Sequence, residues 1–66
     1  MPNRYDRFRA EIALENDAFA DDCGSELARI LRKLVDRIER DVENGDSTLY
    51  DINGNLVGEA SLQEAR

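Results

Sequence analysis

Leu27, Ile30, Leu31, Leu34, Val35, Ile38 and Val42 recur at steps of three, one and four residues. That spacing puts all seven on one stripe of an α-helix running from about residue 22 to 44, with the apolar side laid on another layer. This stripe constrains the chain more than any other feature, because a helix with one apolar face must cover something. Asp21 and Asp22 precede the stripe and offer N-cap oxygens. Their charge complements the helix dipole. Gly24, which costs about 1 kcal/mol relative to Ala inside a helix, suits the first turn. Asn44-Gly45 marks the other end, where Gly45 is expected to take the left-handed C′ position.

The flanking segments have strand periodicity. From Arg7 to Glu15, Phe8, Ala10, Ile12 and Leu14 alternate with Arg7, Arg9, Glu11 and Glu15. One face is expected to be buried and the other wet. Met1 to Tyr5 reads as a frayed lead-in. Residues 17–20 are too short for an element and read as a turn that tucks Phe19 into the core. A hairpin follows over about residues 48–62, around Asp51-Ile52-Asn53-Gly54-Asn55. A two-residue type I′ turn at Asn53-Gly54 is one solution. A type I turn opened by Asp51, with Gly54 in the bulge, is preferred. It sets Leu49 opposite Val57 on the helix side, leaves Tyr50 and Leu56 on the outer face, and puts Ile52 near the tip. Gln63 to Arg66 reads as a loose end.

The order is strand, helix, strand, strand. The expected fold is a single α+β domain spanning residues 1–66. It is a β-α-β-β unit whose three-stranded, mostly antiparallel sheet carries the helix on one face. The first strand can pair antiparallel with the last, or parallel with the second through a right-handed crossover; the antiparallel arrangement is favoured. At 66 residues, roughly 60% of the unfolded surface is buried, which leaves little room for a deep substrate pocket.

Fifteen Asp and Glu stand against nine Lys and Arg, a formal charge of −6. Direct binding of nucleic acid needs cations that displace counterions from phosphate, so nucleic acid is not the expected ligand. With no His and a lone Cys23, neither a zinc site nor an intramolecular disulfide is expected. Cys23 beside Asp21 and Asp22 is in poor electrostatic surroundings for a thiolate. No cofactor is expected. Met1 to Arg9 lacks the apolar core of a secretory leader. No run approaches membrane-spanning length, and a bacterial cytoplasmic setting is expected.

Several motifs fail. Counted from Asp51, an EF-hand would need Gly sixth and Glu twelfth, but Leu56 and Leu62 occupy those places. Nucleophile–base chemistry has no histidine to use. Paired carboxylates for glycoside cleavage need a cleft, and no Gly-rich phosphate loop occurs. Tyr5 and Tyr50 are too scattered for base stacking. No enzyme is expected.

The topology sorts the carboxylates. If the first strand runs up, the helix runs down and the next strand up. Glu15, Asp17, Asp21, Asp22, Glu26 and Asp51 then share one pole, and Glu11 stands on the wet face just before it. Glu39, Asp41, Glu43 and Asp46 collect at the other end against Arg40. Capping and turn chemistry account for Asp21, Asp22 and Asp51 locally, but less well for Glu11, Glu15 and Glu26. These seven residues are the candidate docking surface for a basic groove in which carboxylates stand in for phosphates. The helix back carries Arg29, Arg32, Lys33, Asp36, Arg37 and Arg40. Arg32–Asp36, Asp36–Arg40 and Arg37–Asp41 are spaced to pair along it.

Glu11-Ile12, Asn16, Ala18-Phe19, the run from Glu26 to Leu34, Leu49, Asp51 and Asn53-Gly54-Asn55-Leu56-Val57-Gly58 resemble a group of small phage and plasmid proteins. The likeness covers about Phe8 to Gly58 and rests on caps, stripe and hairpin. In size and acidity the chain is also similar to small anti-CRISPR proteins, some of which imitate DNA. That similarity implies a stoichiometric inhibitor that blocks a basic site on a CRISPR surveillance complex or another basic nucleic-acid-binding protein of the host. No membrane association is expected, and a monomer is expected ahead of a dimer. The cations on the helix back depart from a uniformly acidic mimic. The alternative is a small structural phage module that associates through its sheet, motivated by Tyr50 and Leu56 and by edge-strand pairing.

Overall fold

A computed structural model describes residues 3–65; Met1, Pro2 and Arg66 lie outside the described residues, and with them part of the expected lead-in and loose end. Strand β1 (Tyr5–Ile12) is followed by a 3₁₀ turn over Asp17–Phe19 and by helix α1 (Cys23–Arg40). A second 3₁₀ turn covers Val42–Gly45. Strands β2 (Ser47–Tyr50) and β3 (Leu56–Glu64) form the hairpin. The sheet order is β1-β3-β2 and both pairings are antiparallel. This is the expected α+β unit, with the first strand antiparallel beside the last. Among the described residues no helix is long and apolar enough to cross a membrane.

The helix begins where Asp22 caps it, its carboxylate accepting from the Ser25 N–H at 3.0 Å and the Ser25 hydroxyl at 2.7 Å. It stops earlier than residue 44. Asp41 turns extended, and its side chain accepts from Glu43 N–H at 3.0 Å to start the 3₁₀ turn instead. The Asn44 side chain donates to the Arg37 carbonyl at 2.8 Å, satisfying one of the carbonyls left free at the helix end. Gly45 therefore does not take the left-handed cap expected of it; Gly54, at φ 84°, is the positive-φ residue of the described chain. Gly45 is buried, and a Cβ there would stand 3.4 Å from both Leu62 and Phe8. Its smallness serves packing, not backbone freedom.

The hairpin takes the type I turn with Gly54 in the bulge. Asp51 C=O accepts from Gly54 N–H at 3.0 Å, and Asp51 N–H donates to Asn55 C=O at 2.9 Å. Tyr50 pairs with Leu56, but Leu49 pairs with Gly58 and not with Val57. The register slips by one residue there, and Val57 is the extra residue of a second bulge beyond the one at Gly54. Leu49 and Val57 are nonetheless both buried, and Tyr50 and Leu56 are exposed on the outer face as expected.

The core consists of Phe19, Ile30, Leu34, Leu49, Val57 and Ala60, with Ile12, Ala18 and Ile38 packed against it. Phe19 arrives from the 3₁₀ turn, as the sequence reading required. The opening strand departs from its expectation. It spans Tyr5–Ile12, not 7–15, because β3 runs on to Glu64 opposite Tyr5. At the other end its last bond, Ala13 N–H to Val57 C=O at 2.8 Å, lies just before the hairpin turn. Ile12 is half-buried, but Phe8, Ala10 and Leu14, expected on the buried side, are exposed. The pairs Arg32–Asp36, Asp36–Arg40 and Arg37–Asp41 do not close among the described residues; the ion pair within the helix is Glu26–Arg29.

Where β1 meets the bulge, the backbones crowd. A Cβ on Gly58 would lie 2.0 Å from the Glu11 carbonyl oxygen and 2.9 Å from Ile12 Cα. Gly58→Ala is expected to cost about 3 kcal/mol or more, since neither strand can yield without breaking ladder bonds. Gly54→Ala, which meets open space but keeps a left-handed backbone, is expected to cost only about 1–2 kcal/mol. Urea melts of the two variants check the difference.

Candidate functional site

The pole at which β1 ends, α1 begins and the hairpin turns is one place in the structure. The Asn16 side chain donates to the Asp51 carboxylate at 3.0 Å, and Ile52 N–H donates to the Glu26 carboxylate at 2.8 Å. The seven candidate residues fall into three groups, two of them at this pole.

Glu26 and Asp51 point inward, only 7% and 4% exposed. Glu26 lies one helical turn before Ile30 on the apolar stripe, and so faces the sheet. Arg29 grips it through two bonds, Nε to Oε1 at 2.7 Å and Nη2 to Oε2 at 3.0 Å. Its Oε2 also caps the hairpin at Ile52. Asp51 accepts from the N–H groups of Asn53 and Asn55, both at 2.9 Å, and from the Asn55 side chain at 3.2 Å. These two carboxylates build the pole, and neither presents free charge on it. Among the described residues no buried side-chain polar atom lacks a partner.

Asp22, Asp17, Asp21 and Glu15 are exposed. Asp22 is the helix cap; the other three, and Asp22 itself, form no ion pair among the described residues. Arg29 is the single cation in the sequence between Arg9 and Arg32, and it is committed to Glu26. The local excess of negative charge is thus uncompensated.

Glu11 belongs elsewhere. It sits on the outer sheet face directly opposite Glu59. Both line a hollow of about 400 Å3 with Thr48, Leu56, Val57 and Gly58. Like charges directly opposed on a sheet repel, and Glu59 was not among the residues singled out from the sequence. Parity along the last strand could have found it once the register was known. At the far end, Arg4 bridges Glu43 at 3.2 Å and Glu64 at 3.1 Å, a cation the sequence reading left out of that pole.

The protonation equilibria follow from these contacts. The Arg29 guanidinium holds the Glu26 carboxyl below the usual range; burial opposes this, and the Ile52 N–H adds to it. Burial pushes Asp51 up, but the donors on Asn16, Asn55 and Asn53 outweigh it and leave the carboxyl lowered. The Ser25 hydroxyl and N–H lower Asp22. Among the described residues no group of three His, Cys, Asp or Glu side chains is arranged to hold a metal ion.

No known protein family matches the chain, and neither a characterised protein nor a solved structure does.

A carboxylate whose folded pKa lies below its unfolded value adds stability at pH above the unfolded value, and that stability is lost as pH falls through the folded one. Melting temperature is therefore expected to be flat from pH 7 to about 5, then to drop steadily below about pH 4, where unfolded carboxylates take up protons. Glu26→Gln is expected to lower the neutral-pH melting temperature by about 10 °C and to flatten the acid slope. Thermal melts followed by circular dichroism across pH 2–7 check both.

Proposed function

We propose that this protein acts by binding, without chemistry of its own, as an acidic decoy that occupies a basic nucleic-acid site on a partner protein. One observation carries this reading. Glu15, Asp17, Asp21 and Asp22 stand exposed at one end of the molecule and form no ion pair among the described residues, while Arg29, the single cation in the sequence between Arg9 and Arg32, is turned inward onto Glu26. The charge left over is held on a rigid frame, because the buried carboxylates tie the loop, the helix start and the hairpin tip together. Fixed, outward carboxylates on such a frame can meet a basic groove as phosphates would. The mixed surface of the helix back, with Arg32, Lys33, Asp36 and Arg40 exposed, confines the decoy surface to this end. A host defence assembly of the CRISPR surveillance type is the partner proposed, in keeping with a small protein of a mobile element.

The test uses a combined variant, Glu15→Gln with Asp17→Asn, Asp21→Asn and Asp22→Asn. Asparagine still caps a helix, so the fold is retained. In a competition gel shift, the wild-type protein is expected to displace DNA from a purified surveillance complex, and the variant to need about tenfold more protein or above. Displacement by the wild type should weaken as salt is raised. A variant as potent as the wild type would show the acidic end to be uninvolved.

A further inference from the structure

The free edge of β1 carries a pattern that the decoy reading does not use. Ala13 N–H bonds to Val57 C=O, and the β1–β3 register is regular from Arg7 to Ile12. The alternation of an antiparallel ladder then points the main-chain groups of Arg9 and Glu11 toward β3, and those of Phe8, Ala10 and Ile12 outward, where no strand meets them. Phe8 and Ile12 face the helix side, while Arg9 and Glu11 face the outer side.

The helix leaves this edge uncovered. Arg29 reaches the Tyr50 carbonyl and Arg37 the Ser47 hydroxyl, both at 3.5 Å, which sets that flank of α1 over β2. Leu31 and Val35 stand about 200° around the axis from Arg29 and Arg37 respectively, on the flank toward β1. Leu31 is 38% exposed, Val35 50% and Phe8 46%. An unpaired strand edge and an apolar flank thus lie side by side.

We propose that a second copy of this chain occupies them. The two β1 strands pair antiparallel about a two-fold axis at Ala10, making one six-stranded sheet with both helices on the same face. The charges select this register. With Ala10 on the axis, Arg9 of each copy stands opposite Glu11 of the other, and Phe8 stands opposite Ile12. An axis at Arg9 sets two arginines face to face, and one at Glu11 sets two glutamates. An axis at Phe8 opposes Arg7 to Arg9. The register at Ala10 pairs opposite charges twice and like charges nowhere. It also sets a guanidinium directly opposite Glu11, whose cross-strand partner within the single chain is Glu59. Charged residues usually guard an edge strand against pairing; here their order makes the edge complementary to itself. This assembly departs from the monomer expected from the sequence, and it leaves Glu15, Asp17, Asp21 and Asp22 free.

Sedimentation equilibrium of the full chain at about 0.15 M salt, where the charge of each copy is screened beyond about 8 Å, tests the proposal. The wild type is expected to be a dimer. Arg9→Glu and Glu11→Arg, both on the exposed outer face, are each expected to weaken dimerisation about tenfold or more with an unchanged circular dichroism spectrum. An equimolar mixture of the two variants is expected to regain the dimer as a heterodimer, because each arginine then meets a glutamate. A wild type that stays monomeric at millimolar concentration overturns the proposal, as does a dimer indifferent to both reversals or a mixture that fails to associate. Displacement of DNA by the acidic end is read separately, so loss of either activity alone identifies which reading has failed.

Discussion

The carboxylate of Glu26 is placed where a leucine would be expected from the helical stripe, and the architecture of the pole depends on it. A buried carboxylate is tolerable only when its acceptor sites are filled. Arg29 fills two and the Ile52 amide another. Through these bonds the first turn of α1 is tied to a hairpin 26 residues away. Asp51 does the same for the loop after β1 by way of Asn16. Removing either acid would leave donors stranded under the turn, and such orphans cost more than the bonds themselves contribute. The rigidity of the acidic end is therefore produced by two acids that are not part of its surface.

How far the sequence could be read depended on the range of the forces involved. The helix, the Asp22 cap, the buried Phe19 and the bulged type I turn at Asp51 are all local, set by residues within a few positions of one another, and each was legible. One sheet under one helix followed from two apolar faces needing cover, but that requirement left two partners open for β1, and only the structure sets it beside β3. Long-range events were less accessible. Gly45 looked like a helix stop and proved to be a packing gap filled by Phe8 and Leu62. Nothing local to Gly58 marks its role, because what its missing side chain admits is the backbone of β1, far away in the chain. Glu26 and Asp51 looked like surface charge because acids normally are. The spacing of Glu26 with Ile30 and Leu34 was a visible sign that it faces inward.

One helix is narrower than the sheet beneath it. An α-helix with its side chains is about 10–12 Å across, whereas three strands at about 4.8 Å spacing present about 14 Å of face. Because the arginines of one flank hold α1 toward β2, the shortfall falls wholly on β1. The apolar residues that alternate along β1 were expected in the core, and their exposure follows from this lateral offset. An apolar inner face, an open hydrogen-bonding edge and charges in the order Arg9, Glu11 all result from where a single helix is anchored.

The strand order has a temporal consequence. β1 is made first, yet its neighbour in the sheet is β3, the last strand described. During synthesis β1 must therefore wait while the helix, both 3₁₀ turns and the whole hairpin are translated, on the order of a few seconds at ordinary ribosome speed. Throughout that interval neither of its edges is occupied, and nascent chains on neighbouring ribosomes of one message expose the same segment at the same time.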